Sequence, residues 1–195
     1  MFTVTSLFTS TSRNSVLQES GGLADNKGVS LHQQKETSMK PIRFIAMTTT
    51  LARYYQAGGA DANGQTPEIF TSDRDGVPCR HCLQNVKAGE KYLVLSHRPF
   101  PAPQPYAETG PIFLHAEACE RHGETAELPE MFNENSDYIL RGYSCQDRIV
   151  YGTGGVIKTD GIANRAEELL KRDDIAYVHM RSARNNCFQC RIELA

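Results

Sequence analysis

Apolar positions along the chain fall into short runs separated by turn residues, and the pattern predicts a mixed fold. Ile42–Met47 is an apolar run of strand character. Thr50 is the expected N-cap of a helix that runs to about Gln56 and stops at Gly58-Gly59. Pro67–Thr71 reads as a short strand before a turn at Asp73–Gly76, and Tyr92–Ser96 and Pro111–Leu114 read as two further strands. Between these two, Pro99–Pro105 holds four prolines in seven residues, so the segment is an extended loop. Ile149–Tyr151 and Val156–Ile157 flank Gly152–Gly155 as the expected arms of a hairpin. Asp160 is the expected cap of a helix that carries Ile162, Ala166, Leu169 and Leu170 on one face. Ile175–Met180 and Phe188–Leu194 follow as strands joined at Arg184-Asn185-Asn186. Short strands, two or three helices and no βαβ rhythm predict a compact α+β domain with a mostly antiparallel sheet.

Residues 1–38 do not share this patterning. Twelve of them are Ser or Thr, and Gly21-Gly22 interrupts the only apolar stretch. Such a segment buries too little apolar surface to offset the entropy of ordering it, so a disordered extension is expected over 1–38. The α+β domain is then expected over 39–195. Structured patterning begins directly after Met39, which makes that residue an alternative start.

Composition narrows the function classes. With 21 Lys+Arg against 23 Asp+Glu, the formal net charge is −2. This balance argues against nucleic acid or a membrane surface as partner, since both demand a cationic excess. No run of eighteen apolar residues is present to cross a bilayer. An export signal needs an early positive charge and a longer apolar run than the N-terminus offers, so a cytoplasmic protein is expected. Its cysteines then work in a reducing compartment, where metal binding or plain burial competes with disulfide formation.

There are six Cys and six His, and four of these residues have metal-ligand spacing. Cys79-Arg-His-Cys82 follows Pro78, so both sulfurs converge in a turn. His115-Ala-Glu-Ala-Cys119 comes thirty-two residues after it. A helix over 115–122 is expected to put His115 and Cys119 on one face, with His122 a turn further on. Cys79, Cys82, His115 and Cys119 together make a Cys3His set, a common closed zinc shell. A turn, two strands and a helix delivering the second ligand pair resemble a treble-clef zinc finger. Unliganded buried thiols are the competing reading, and a reactive Cys79 beside Arg80 and His81 is a third.

Other candidates are weaker. Cys187 and Cys190 on one strand point to opposite faces and do not share a metal, so burial is expected for them and for the isolated Cys145. Gly152–Gly155 lacks the Gly-Lys-Ser/Thr ending of a phosphate-binding loop and reads as a turn. His179 and Arg181 share one strand face, where Arg181 with Arg184 either binds an anion or faces water.

The blocks Gly76-Val-Pro-Cys-Arg80, Ala88-Gly-Glu90 with Leu93-Val-Leu95, Pro105-Tyr106…Gly110-Pro-Ile-Phe113 and Val178-His-Met-Arg-Ser-Ala183…Cys187 resemble the bacterial family catalogued as domain of unknown function 1203. The resemblance implies a single compact cytoplasmic domain and no known activity, substrate or cofactor. The family pattern calls for Cys79 and Arg80 but not for Cys82, His115 or Cys119. Two functions follow from the residues. The first is a binding or interaction module stiffened by structural Zn2+ at Cys79, Cys82, His115 and Cys119. The alternative is an enzyme or small-ligand binder with a pocket around Cys79, walled by Arg80, His81, His97, Arg98 and Tyr106, with His115 or His122 as base.

Overall fold

The computed structural model describes residues 41–195. The expected disordered extension over 1–38 and the start at Met39 lie outside these residues. Ten strands are described: β1 (Ile42–Ile45), β2 (Glu68–Thr71), β3 (Val77–Pro78), β4 (Asn85–Val86), β5 (Lys91–His97), β6 (Gly110–His115), β7 (Asp137–Tyr143), β8 (Gly155–Lys158), β9 (Tyr177–Ser182) and β10 (Phe188–Leu194). Two α-helices accompany them, α1 (Thr49–Gln56) and α2 (Ile162–Leu170). The strands form a five-stranded sheet in the order β1-β10-β9-β7-β8, a three-stranded sheet β2-β5-β6 and a two-stranded ribbon β3-β4. Every strand pairing is antiparallel, and the chain is α+β as its patterning predicts.

Helix α2 shows how pattern becomes packing. Ile162, Ala166, Leu169 and Leu170 are all buried, as the spacing i, i+4, i+7, i+8 requires for one helical face. That face meets Leu140 of β7, Val178 and Met180 of β9 and Ile192 of β10 in the main core. Each large side chain buried there contributes about 1.5–3 kcal/mol. Asp160 does not cap this helix; it lies in a preceding 3-10 turn, Thr159–Gly161, and Gly161 takes the cap position. Helix α1 begins two residues earlier than expected, capped by Thr48, whose hydroxyl accepts from Leu51 N–H. It ends as expected, with Gly58 at φ +83° just past Ala57, a backbone that glycine adopts without steric cost.

The expected 149–157 hairpin is replaced by a longer-range pairing. Val156 and Ile157 pair with Ile139 and Tyr138 of β7, while Ile149 meets Tyr143 only at an isolated bridge. Strand β7 sets both contacts, with Tyr138, Leu140 and Gly142 buried in alternation.

The face of the large sheet opposite α2 is also covered. Phe100 from the Pro-rich loop packs on Tyr143 and His179 at ring-centroid distances of 5.4 and 5.1 Å. His179 and Arg181 therefore do not face water; they are 1% and 4% exposed. A second core, with Met47, Ala52, Tyr55, Leu93, Leu95, Ile112 and Leu114, joins α1 to the smaller sheet. No described helix is long and apolar enough to cross a membrane.

Candidate metal centre

The first ligand pair is made by a tight reversal between β3 and β4. Cys79 N–H donates to Gln84 O at 3.0 Å and Leu83 N–H to Cys79 O at 3.1 Å. Closing the turn places Leu83 at φ +50°, a left-handed conformation costing a non-glycine residue roughly 1–2 kcal/mol. Leu83 holds it because its side chain is buried in the main core, which offsets a strain of that size. Strand β6 delivers the third ligand, His115, as its last residue. The His115 N–H also points at Cys79 Sγ, 3.4 Å away.

The fourth ligand arrives without the expected helix. After a bend at Ala116-Glu117, residues 118–122 have no regular structure. Side chains of α1 instead take up carbonyls along 115–119. Gln56 Nε2 donates to His115 O and Glu117 O, both at 2.8 Å, and Arg53 Nη2 to Cys119 O at 2.7 Å. Arg121 anchors the far end on Ala46 O and Met47 O at 2.9 and 3.0 Å. The ribbon and turn match the treble-clef resemblance, and the helix that completes such a motif is not formed. His122 is not among the clustered ligands, and its backbone N–H donates to His81 O.

One ligand atom from each of Cys79, Cys82, His115 and Cys119 lies within 4.8 Å of every other. Cys79 Sγ and Cys119 Sγ are 4.0 Å apart, and Cys82 Sγ and His115 Nδ1 are 3.5 Å apart. Sulfurs ~2.3 Å from a tetrahedral zinc lie about 3.8 Å from one another, so the four groups are close enough to hold Zn2+. The groups behind the cluster have the polarity that metal ligands require. His115 Nε2 faces Glu90 Oε2 at 3.6 Å. His81 Nδ1 lies 3.1 Å from Cys119 Sγ, and its Nε2 lies 3.0 Å from Thr49 Oγ1. The consistent assignment has Nδ1–H donating to sulfur and Nε2 accepting from the hydroxyl. Burial lowers the His81 pKa, favouring that neutral tautomer.

Proton sharing within the cluster is strong. Hydrogen bonds from Cys119 and Cys82 hold the Cys79 thiol far below the usual thiol range. Cys82 moves the opposite way, driven up by its contacts with Cys119 and Cys79. His115 rises to about 10, first through Cys119 and then Cys79. A thiolate held against an imidazolium is the protonated counterpart of a cation site, one where a bound divalent metal would displace the shared protons.

The five pocket residues expected from sequence are spread over different surroundings. Arg80 is 1% exposed; its guanidinium donates to Phe188 O at 2.7 Å and to Pro78 O. His81 belongs to the cluster just described. Tyr106 sits against Tyr151 and Arg148. His97 and Arg98 line a common cavity, together with His179 and Arg191, which the sequence reading does not connect with them. Alternation along β9 signals that His179 shares a face with other residues, but not that a proline-rich loop closes over it. Among the remaining cysteines, Cys190 is buried as expected, Cys187 is half-buried, and Cys145 is exposed on a turn. Gly152, at φ +79°, serves a turn.

No curated protein and no solved structure matches the chain. A family model does, over residues 76–193, a span that contains all four clustered ligands. The chain belongs to the family described as Protein of unknown function (DUF1203).

Proposed function

We propose that Cys79, Cys82, His115 and Cys119 hold one structural Zn2+ within a single α+β domain of residues 39–195, in a cytoplasmic binding or interaction module. The observation carrying this reading is the meeting of four ligand atoms within 4.8 Å of one another, drawn from a turn, a strand end and an irregular segment. Three soft thiolates and one imidazole favour zinc over hard cations such as Mg2+ or Ca2+. Four protein ligands complete a tetrahedron and leave no position for a reactive water, so the ion's role is mechanical. It cross-links the β3–β4 turn to the end of β6 and to Cys119, adding to the single backbone bridge that joins Cys79 to Phe113 of β6. A reducing compartment keeps the three thiolates available to the ion.

The test is reconstitution of the whole chain with Co2+. A tetrahedral Cys3His site gives thiolate charge-transfer bands and strong visible ligand-field bands that saturate at about one equivalent and are displaced by Zn2+. Cys82→Ser and Cys119→Ser weaken the charge-transfer bands. Octahedral-type weak absorption, or spectra indifferent to both substitutions, overturns the reading.

A further inference from the structure

A second set of buried polar groups lies away from the cysteines. Between the start of α1, the Pro-rich loop and the face of the large sheet opposite α2 is a cavity of about 290 Å³. His179 forms part of its wall, 1% exposed, and neither of its ring nitrogens has a hydrogen-bond partner among the described residues. Its neighbours are aromatic, with the rings of Tyr143, Phe188, Tyr177 and Phe100 at 4.6, 4.9, 5.0 and 5.1 Å between centroids. His97, 7% exposed, lines the same cavity with Nδ1 also unpartnered. A buried polar atom without a partner costs about 1–3 kcal/mol, so two such histidines on one wall call for a ligand that satisfies them.

The charges on the wall decide the sign of that ligand. Its charged residues are Arg98 and Arg191, and no Asp or Glu lines it. Arg98 makes no hydrogen bond or ion pair among the described residues, and its Nε is buried. Arg191 pairs with Glu193, and its guanidinium lies 3.6 Å from the Tyr177 ring centroid. Behind the wall, Glu108 lies between Arg141 and Arg181, at 3.0 and 2.8 Å, leaving that trio with net positive charge. A cation finds only two imidazoles here, no third ligand, and arginines on either side. An anion finds donors and an uncompensated guanidinium. The rest of the wall, including Met47, Leu51, Phe100 and Phe188, is apolar and suits a hydrocarbon body. The volume lies at the lower limit for ligand sites, which limits the guest to roughly ten non-hydrogen atoms.

We propose that this cavity binds a small organic carboxylate, its oxygens held by Arg98 and by imidazole N–H groups of His97 and His179, and its apolar body packed on Leu51, Phe100 and Phe188. The site is separate from the metal centre and stands whether or not Cys79, Cys82, His115 and Cys119 bind an ion.

The whole chain, labelled with 15N-histidine, is titrated with benzoate and hexanoate and, for comparison, with their neutral amides. The expected result is saturable movement of the His97 and His179 ring signals by at least one carboxylate, with its amide binding at least about tenfold more weakly, as loss of one charge-assisted contact predicts. Arg98→Ala should erase that preference and Arg98→Lys should largely keep it. Leu51→Trp, which fills the cavity without altering its charge, should abolish binding. If neither carboxylate moves these signals at up to ~10 mM, where even millimolar affinity registers, the proposal is wrong. It is equally wrong if the amides bind as tightly as the acids, or if Leu51→Trp leaves binding intact.

Discussion

Arg80 provides a sharp test of how the molecule is held together around its candidate centre. Its guanidinium spans the gap between the β3–β4 ribbon and the start of β10, bonded to Pro78 O and Phe188 O and lying 5.7 Å from the Phe113 ring centroid. Burial draws its pKa from 12.5 to about 10, so at pH 7 the charge is retained at an electrostatic cost of ~3 kcal/mol, taking ~1.4 kcal/mol per pH unit. Removing the side chain relieves that cost but leaves two carbonyls without donors, at about 1–3 kcal/mol each. It also removes two methylenes from the interior, at about 0.8 kcal/mol each. Arg80→Ala should therefore lose about 2–3 kcal/mol. Arg80→Met keeps most of the volume, sheds the charge and should lose only about 1 kcal/mol. Urea unfolding followed by far-UV circular dichroism measures both, with the midpoint and slope fitted together. If Arg80→Met is destabilised as much as Arg80→Ala, the charge and not the packed volume dominates, and the reasoning fails.

Other substitutions examine the remaining parts. Burial, then the charges of Arg80 and Arg98, depress the His97 pKa to about 4 against an ordinary 6.5. Below pH 6.5 the unfolded chain takes up a proton that the folded chain refuses, so stability falls as pH drops and levels off below about 4. The His97 share is ~2 kcal/mol at pH 5. His97→Phe should lose correspondingly less stability than wild type between pH 7 and 5 in parallel urea titrations, and equal losses contradict this. His81→Phe removes the N–H donor to Cys119 and should weaken metal binding by about 10–100-fold in competition with a chromophoric chelator, with unchanged affinity as the contrary result. Thiol labelling of the metal-loaded chain should modify exposed Cys145 first and half-buried Cys187 next, with Cys119 reacting only after chelation. Cys119 labelling at the Cys145 rate without chelator would falsify the shielding.

How much was legible in the sequence differs from one element to the next. The spacing of Cys79, Cys82, His115 and Cys119 singles out the four residues whose ligand atoms come together, because a turn and a strand end are local features. The path to Cys119 was not legible. Residues 115–122 have a helical spacing of ligands, but the carbonyls of His115, Glu117 and Cys119 are claimed by Gln56 and Arg53, some sixty residues away, and such partners have no local signature. Strand β7 is not legible in the hydrophobic pattern, although Tyr138, Leu140 and Gly142 are buried in alternation. Glycine contributes no hydrophobic signal, yet a Cβ at Gly142 would come within 2.9 Å of Ile175 Cδ1, so close packing explains its place there. The α2 face was plain from periodicity alone, since helix and core agree. His179 and Arg181 follow strand alternation as expected, but burial of their face depends on the Pro-rich loop folding over it. That is a tertiary event, and the cavity with its unpartnered imidazoles is visible only once the loop is in place.

The most direct test of the metal reading is elemental analysis of the whole chain, purified without chelator and gel-filtered, alongside Cys119→Ser. The account predicts about one zinc per wild-type chain and much less in the variant, with the wild-type ion released only as strong chelators or acid are applied. Wild-type protein without zinc that also fails to take it up when supplied, or zinc retained equally by Cys119→Ser, would contradict it.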